Sequence, residues 1–223
     1  MPMGGLGDFI FYGFFFCVVL AFIFFMRVAR GSGRPRSIMV ACQNGDFDEV
    51  RALLREARWL ARSVDDNGLT PLHIAALAGF GDIVFQLLRY KADVNAENRA
   101  GMTPLHAAAM GGHSDVAEIL VVHGAEVNRR DRLGNTPLYF AAWDGNLDVV
   151  NLLIAHGAEL DAETVHQDTT LDRARRRGHH DVAQFLESRG AQGSQRWRES
   201  PVASAEAAPA EGRPVRAEGR KSV

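Results

Sequence analysis

The sequence predicts an all-α repeat solenoid, and three observations carry that expectation. Thr70, Thr103, Thr136 and Thr169 recur at intervals of 33 residues, and a fixed period of this size marks stacked structural repeats. The surroundings recur with them: Thr70-Pro71-Leu72-His73-Ile74-Ala75-Ala76 returns as Thr103-Pro104-Leu105-His106-Ala107-Ala108-Ala109 and as Thr136-Pro137-Leu138-Tyr139-Phe140-Ala141-Ala142. Between these stretches lie segments with apolar residues at helical spacing, such as 116–122 and 149–154, closed by Gly124 and Gly157.

Residues 1–8 form a short N-terminal segment. Residues 9–26 then run 18 positions without a charge and hold eight of the chain's 13 phenylalanines. As a helix this stretch would span roughly 27 Å, close to the hydrocarbon thickness of a bilayer. The fold class therefore includes one transmembrane helix, over 9–28, ahead of the repeats. A cleaved signal peptide is the main alternative, but it requires a basic start and a shorter apolar run. Here only Asp8 precedes the run, and Arg27, Arg30, Arg34 and Arg36 follow it. By the positive-inside rule that flank stays in the cytoplasm, which predicts a single-pass membrane protein with its N-terminus outside and its repeats inside. Residues 29–36 read as a basic linker whose arginines could also sit against anionic lipid headgroups, at about 1 kcal/mol each.

The repeat domain is expected over 37–192, with caps at about 37–64 and 165–192 and full repeats at about 65–97, 98–130 and 131–163. Residues 39–45 carry the Ala-x-x-x-Gly shape of a first helix and turn, and 46–54 match a second helix. The Thr-Pro start is missing, as suits a terminal unit with one face in water. Within a full repeat the threonine is a natural N-cap, and proline follows where a missing N–H costs nothing. Leu72, Leu105 and Leu138 and the paired alanines point inward, and Gly79, Gly112 and Gly145 end the first helix in a left-handed turn. Lys91 stands where Gly124 and Gly157 stand in the next two units, a substitution expected to cost about 1 kcal/mol if the backbone is left-handed.

These motifs resemble those of ankyrin-repeat proteins, over about residues 37–192. The resemblance implies helix–turn–helix units with hairpin tips and a protein partner bound on the concave face and the tips. It also implies that His73 and His106 hydrogen-bond backbone and join repeats, rather than bind metal. Mapped by the 33-residue offset, the positions after the alanine pair are Leu77, Met110, Trp143 and Arg176, then Ala78, Gly111, Asp144 and Arg177. Leu77, Met110 and Trp143 would form a connected apolar strip, the kind of surface that marks interaction sites. The tips add Arg99, Met102, Arg132 and Leu133. Leu77, Met110, Trp143, Arg99, Met102, Arg132, Leu133, Asp144 and Arg176 are thus the candidate partner-binding residues.

The fourth unit keeps Thr169 but loses the proline and the histidine–alanine pattern, and Arg173, Arg175, Arg176 and Arg177 enter. A polar cap accounts for them; binding an acidic partner segment is the alternative. His179-His180-Asp181 falls on an ordinary turn, and Cys17 and Cys42 read as small apolar residues. The repeat block holds 15 Lys and Arg against 22 Asp and Glu, so a phosphate-dominated nucleic-acid interface is not expected. No nucleophile–base pair, phosphate loop or metal motif is present in the sequence, so neither an enzyme, a cofactor nor a small-molecule substrate is expected. Residues 193–223 are rich in Ala, Glu, Arg, Pro and Ser without apolar periodicity and read as a disordered tail. The function expected is a membrane-anchored scaffold that binds a protein partner, with an exported soluble protein or an accessory subunit of a membrane complex as rivals.

Overall fold

The structure, a computed structural model, describes residues 37–195. The expected transmembrane helix at 9–28, the basic linker at 29–36 and the tail beyond 195 lie outside the described residues. Among the described residues no helix is long and apolar enough to cross a membrane.

The described chain is a stack of five helical pairs. The pairs are α1 (Ile38–Asn44) with α2 (Phe47–Glu56), α3 (Pro71–Ala78) with α4 (Gly81–Arg89), α5 (Pro104–Gly111) with α6 (Ser114–Val122), α7 (Pro137–Trp143) with α8 (Leu147–Ala155), and α9 (Thr170–Arg177) with α10 (His180–Ser188). A short 3-10 turn, Arg58–Arg62, leads from the first pair to the second. The odd-numbered helices pack side by side as an inner row and the even-numbered ones as an outer row. The inner row is closer packed because its facing residues are alanines: Ala41, Ala75, Ala76, Ala108, Ala109, Ala141, Ala142 and Ala174 are fully buried. Leu72, Leu105, Leu138 and Leu171 insert between the rows and are buried too, each burial contributing about 2 kcal/mol.

Four ladders recur at the 33-residue period, and the last three hold one repeat to the next. The first shapes the tips. Asp65, Asn98, Asp131 and Thr164 each accept two backbone N–H groups with one side-chain oxygen, as Asp65 Oδ1 does from Asn67 and Leu69 at 2.8 Å each. The second zips those tips together, Arg99 N–H donating to Asn67 O, Arg132 N–H to Ala100 O and Val165 N–H to Leu133 O at 2.9–3.0 Å. The third joins the ends of the outer helices: Asn95 donates to Gly124 O and accepts from Glu126 N–H, and Asn128 repeats this with Gly157 O and Glu159 N–H. Arg62 opens that ladder by donating to Lys91 O, and Asp161 closes it by accepting from Gln192 N–H.

The fourth ladder follows the inner-helix turns. Phe80, His113, Asn146 and His179 each lie over the turn glycine of the preceding unit, Gly45, Gly79, Gly112 and Gly145. His113 donates to Leu77 O, Asn146 to Ala109 O and His179 to Trp143 O, at 3.0–3.3 Å. His179 therefore serves as a seam residue.

Two non-glycine residues have positive φ, Lys91 at 65° and Gln167 at 59°. Both occupy places on glycine ladders: Lys91 aligns with Gly124, Gly157 and Gly190, and Gln167 with Gly68, Gly101 and Gly134, all left-handed. The left-handed backbone on which the expected cost at Lys91 depends is present. Lys91→Gly and Gln167→Gly should each raise the unfolding free energy by about 1 kcal/mol, read from urea titrations followed by circular dichroism.

The candidate concave surface and its repeat seams

Thr70 and Thr103 build the two regular seams. Thr70 N–H donates to His73 Nδ1 at 3.2 Å, and His73 Nε2–H donates across the repeat to Met102 O at 3.0 Å. Thr103 N–H and His106 Nδ1 repeat the bond at 3.0 Å, with His106 Nε2–H reaching Asn135 O at 3.2 Å. Each ring accepts at Nδ1 and donates at Nε2, so each is neutral. Burial lowers the pKa of both below the usual imidazole value, that of His106 to about 4, against the bond to the tip carbonyl, which raises it. The backbone-joining role expected of these histidines is observed.

The sign of the pH effect follows. The unfolded chain binds protons near pH 6.5 that the folded chain refuses until well below that, so stability is complete above 6.5 and declines as the pH falls toward 4. The loss from His106 should reach about 2 kcal/mol at pH 5. Urea unfolding at pH 7 and pH 5 checks it, and an unchanged midpoint would contradict the neutral buried ring.

The third and fourth units replace this device. Tyr139 and Asp172 occupy the histidine position. Tyr139 Oη accepts from Arg173 Nε at 2.6 Å and its pKa is pushed up to about 12, mainly by burial. Asp168, whose side chain is only 4% exposed, pairs with Arg176 and, at 3.5 Å, with Arg173. The Arg173–Tyr139 hydrogen bond thus joins the third repeat to the cap, and the Asp168 ion pairs hold Arg173 and Arg176 within the cap. Asp172 is fully buried; it accepts from Thr169 N–H at 3.1 Å and from Ser194 N–H at 3.1 Å. Where histidine donates to a following tip, aspartate accepts from a segment that takes the tip's place. This corrects the expected domain end at 192 and the expected disorder from 193: Gly193 and Ser194 are buried against the cap.

The candidate partner-binding residues divide into three groups. Leu77, Met110 and Trp143 do form a row along α3, α5 and α7, and all three are half-buried rather than fully exposed. Arg176 continues the row but is engaged with Asp168. At the tips Arg99 and Arg132 are exposed and Leu133 is half-buried. Met102 is a correction: at 9% exposure it is buried, because its position leads into the N-cap and its carbonyl receives His73. Two further arginines beside the third tip are engaged in ion pairs, Arg129 with Glu97 and Glu126, and Arg130 with Glu159.

Trp143 is the centre of the far end. The Arg173 guanidinium lies 4.1 Å from its ring centroid and that of Arg177 lies 5.5 Å away, while Tyr139 meets it edge to face at 6.2 Å. Asp144, half-buried beside it, has its pKa raised by burial, against the opposing pull of Arg177 and His179. The same offset started three residues earlier reveals a second row that the sequence reading passed over: Ile74, Ala107, Phe140 and Arg173. Ile74 and Phe140 are half-buried, and Phe140 packs edge to face on His106 at 5.9 Å. Cys42 lies fully buried, and its thiol is pushed up to about 12 by burial.

Comparison with known proteins agrees with this geometry. A plant protein, the serine/threonine-protein kinase VIK of Arabidopsis thaliana, is 41% identical over 73 residues. That alignment covers 33% of this chain and 16% of the kinase, so the chain spans a small part of the length of the relative it matches. The family model described as ankyrin repeats (3 copies), a protein-binding architecture, matches residues 34–98, 78–164 and 130–196. With those matches running through every helical pair described above, the chain belongs to the ankyrin-repeat family.

Proposed function

We propose that this protein is a membrane-anchored, non-enzymatic scaffold that holds a protein partner on the concave face of its ankyrin stack. The observation that supports it most is the half-buried row Leu77, Met110 and Trp143, continued by Ile74 and Phe140. Five apolar side chains on adjoining helices keep part of their surface in water. Tryptophan is over-represented among residues that dominate binding energy. The tips contribute Arg99, Arg132 and Leu133 as a rim.

The anchor rests on the uncharged run at 9–26 and the arginines after it. Tethering confines the stack to the membrane plane and raises its effective concentration toward a partner that shares that surface. The repeat block carries more acid than base, which disfavours nucleic acid as the ligand.

Membrane fractionation followed by protease protection, with tags at both ends, tests this reading. A full-length chain in the membrane fraction, with its C-terminal tag digested only from the cytoplasmic side, is the expected result. A shortened soluble chain outside the cytoplasm would make the apolar run a leader and overturn the anchor.

A further inference from the structure

The concave face is polarised along the stack. Following three rows of the inner helices from α1 to α9 gives Val40, Ile74, Ala107, Phe140, Arg173; then Gln43, Leu77, Met110, Trp143, Arg176; then Asn44, Ala78, Gly111, Asp144, Arg177, of which Ala107 alone is buried. Apart from Asp144, every charge in these rows lies on α9 and is positive. The arginines are also held in place. Arg173 is fixed by Tyr139 Oη and the face of Trp143, and Arg176 by Asp168. Arg177 leans on Trp143 and donates from Nε to its carbonyl at 3.4 Å. Arg177 is exposed and forms no ion pair among the described residues. Guanidinium groups immobilised before binding lose little freedom when they meet a carboxylate.

From this arrangement we propose that the occupant of the concave face is a protein segment that is apolar over α3, α5 and α7 and ends in a cluster of carboxylates over α9. The proposal rests on the protein-binding reading above and adds the partner's chemistry and its direction along the stack. Helices in contact stand roughly 8–10 Å apart, so α3 to α9 spans about 25–30 Å, which a helix of about 16–20 residues covers. Opposite charge at one end sets the register, since a reversed segment would lay its carboxylates on apolar side chains and leave Arg177 unmatched. Asp144 opposes the carboxylates and tempers their attraction.

The test uses the full chain in nanodiscs of zwitterionic lipid and a displayed library of random 16-residue peptides. Enriched peptides should carry apolar residues at helical spacing and two or more acidic residues at one end. Each such peptide should bind at least tenfold more tightly than its own Glu→Gln analogue at low salt, with the difference collapsing at high salt. Arg177→Gln should reduce that ratio about fivefold, Arg177→Lys should retain most of it, and Asp144→Asn should increase it. The ratio isolates charge recognition, because a loss of fold would weaken both peptides alike. Enriched peptides without acidic residues, or a ratio indifferent to Arg177, would overturn the proposal and leave the scaffold reading intact. Failure to enrich any peptide would overturn both. Binding that transfers to anionic vesicles or DNA, and not to peptides, would reassign the arginine end to phosphate.

Discussion

Gly79→Ala should destabilise the stack by about 3 kcal/mol, while Gly157→Ala should cost only about 1 kcal/mol. The two glycines have nearly the same left-handed backbone, φ 78° and 83°, so the conformational penalty for a side chain, about 1–2 kcal/mol, is common to both. They differ in what a methyl group would meet. At Gly157 nothing lies within 4 Å; at Gly79 the new Cβ would stand 2.5 Å from the ring of His113. The ring cannot step aside freely, because His113 Nε2 is bonded to Leu77 O at 3.2 Å. Overpacking of this kind costs about 1–3 kcal/mol beyond the backbone term. Urea titrations of both variants measure the difference. Adding His113→Ala to Gly79→Ala should recover part of the loss through removal of the clash, a coupling that a double-mutant cycle reports. Equal losses at both glycines would mean that the ring has somewhere else to go, and that the inner-turn ladder is not a close-packed seam.

That seam illustrates what the sequence made legible and what it did not. The 33-residue period was visible in Thr70, Thr103, Thr136 and Thr169, and each of them does open an inner helix. Left-handed glycines at 79, 112 and 145 followed from their place after the alanine pair. The use of those glycines as seats for Phe80, His113, Asn146 and His179 was not legible, because histidine recurs only at every second step and phenylalanine and asparagine take the other two. A ladder whose members share a location but only in part a chemistry leaves a broken letter pattern. Met102 misled for a related reason. Its offset marks it as a tip residue, but the tip turns inward there to deliver a carbonyl to His73. The end of the domain was hidden in composition: Gly193 and Ser194 look like linker, yet buried Asp172 needs a donor and takes the Ser194 N–H. The row Ile74, Ala107, Phe140 and Arg173 could have been found by applying the same offset three residues earlier, one helical turn back along the same face.

Trp143→Ala should weaken partner binding about 30-fold, corresponding to about 2 kcal/mol, while the stack remains folded. Two roles compete for this residue, and their magnitudes separate them. As a structural element Trp143 offers a cation–π contact to Arg173, worth about 0.5–1 kcal/mol at a partly exposed site, and an edge contact to Tyr139, worth about 0.5–1.5 kcal/mol. Its loss should therefore lower the unfolding free energy by about 1–2 kcal/mol and leave helicity unchanged. Leu138, Leu153 and Leu171 remain as buried core at this end of the stack. As a binding element it occupies the meeting point of the apolar rows and the arginine end, where a bound segment would remove it from water entirely. Peptides selected on the native chain supply the probe, and Trp143→Phe the control: it keeps an aromatic face for Arg173 and should retain most of the stability but only part of the affinity. A variant that loses helicity would assign Trp143 to the core. One that unfolds normally and binds unchanged would move the partner off the concave face and onto the tips, where Arg99, Arg132 and Leu133 would have to carry it.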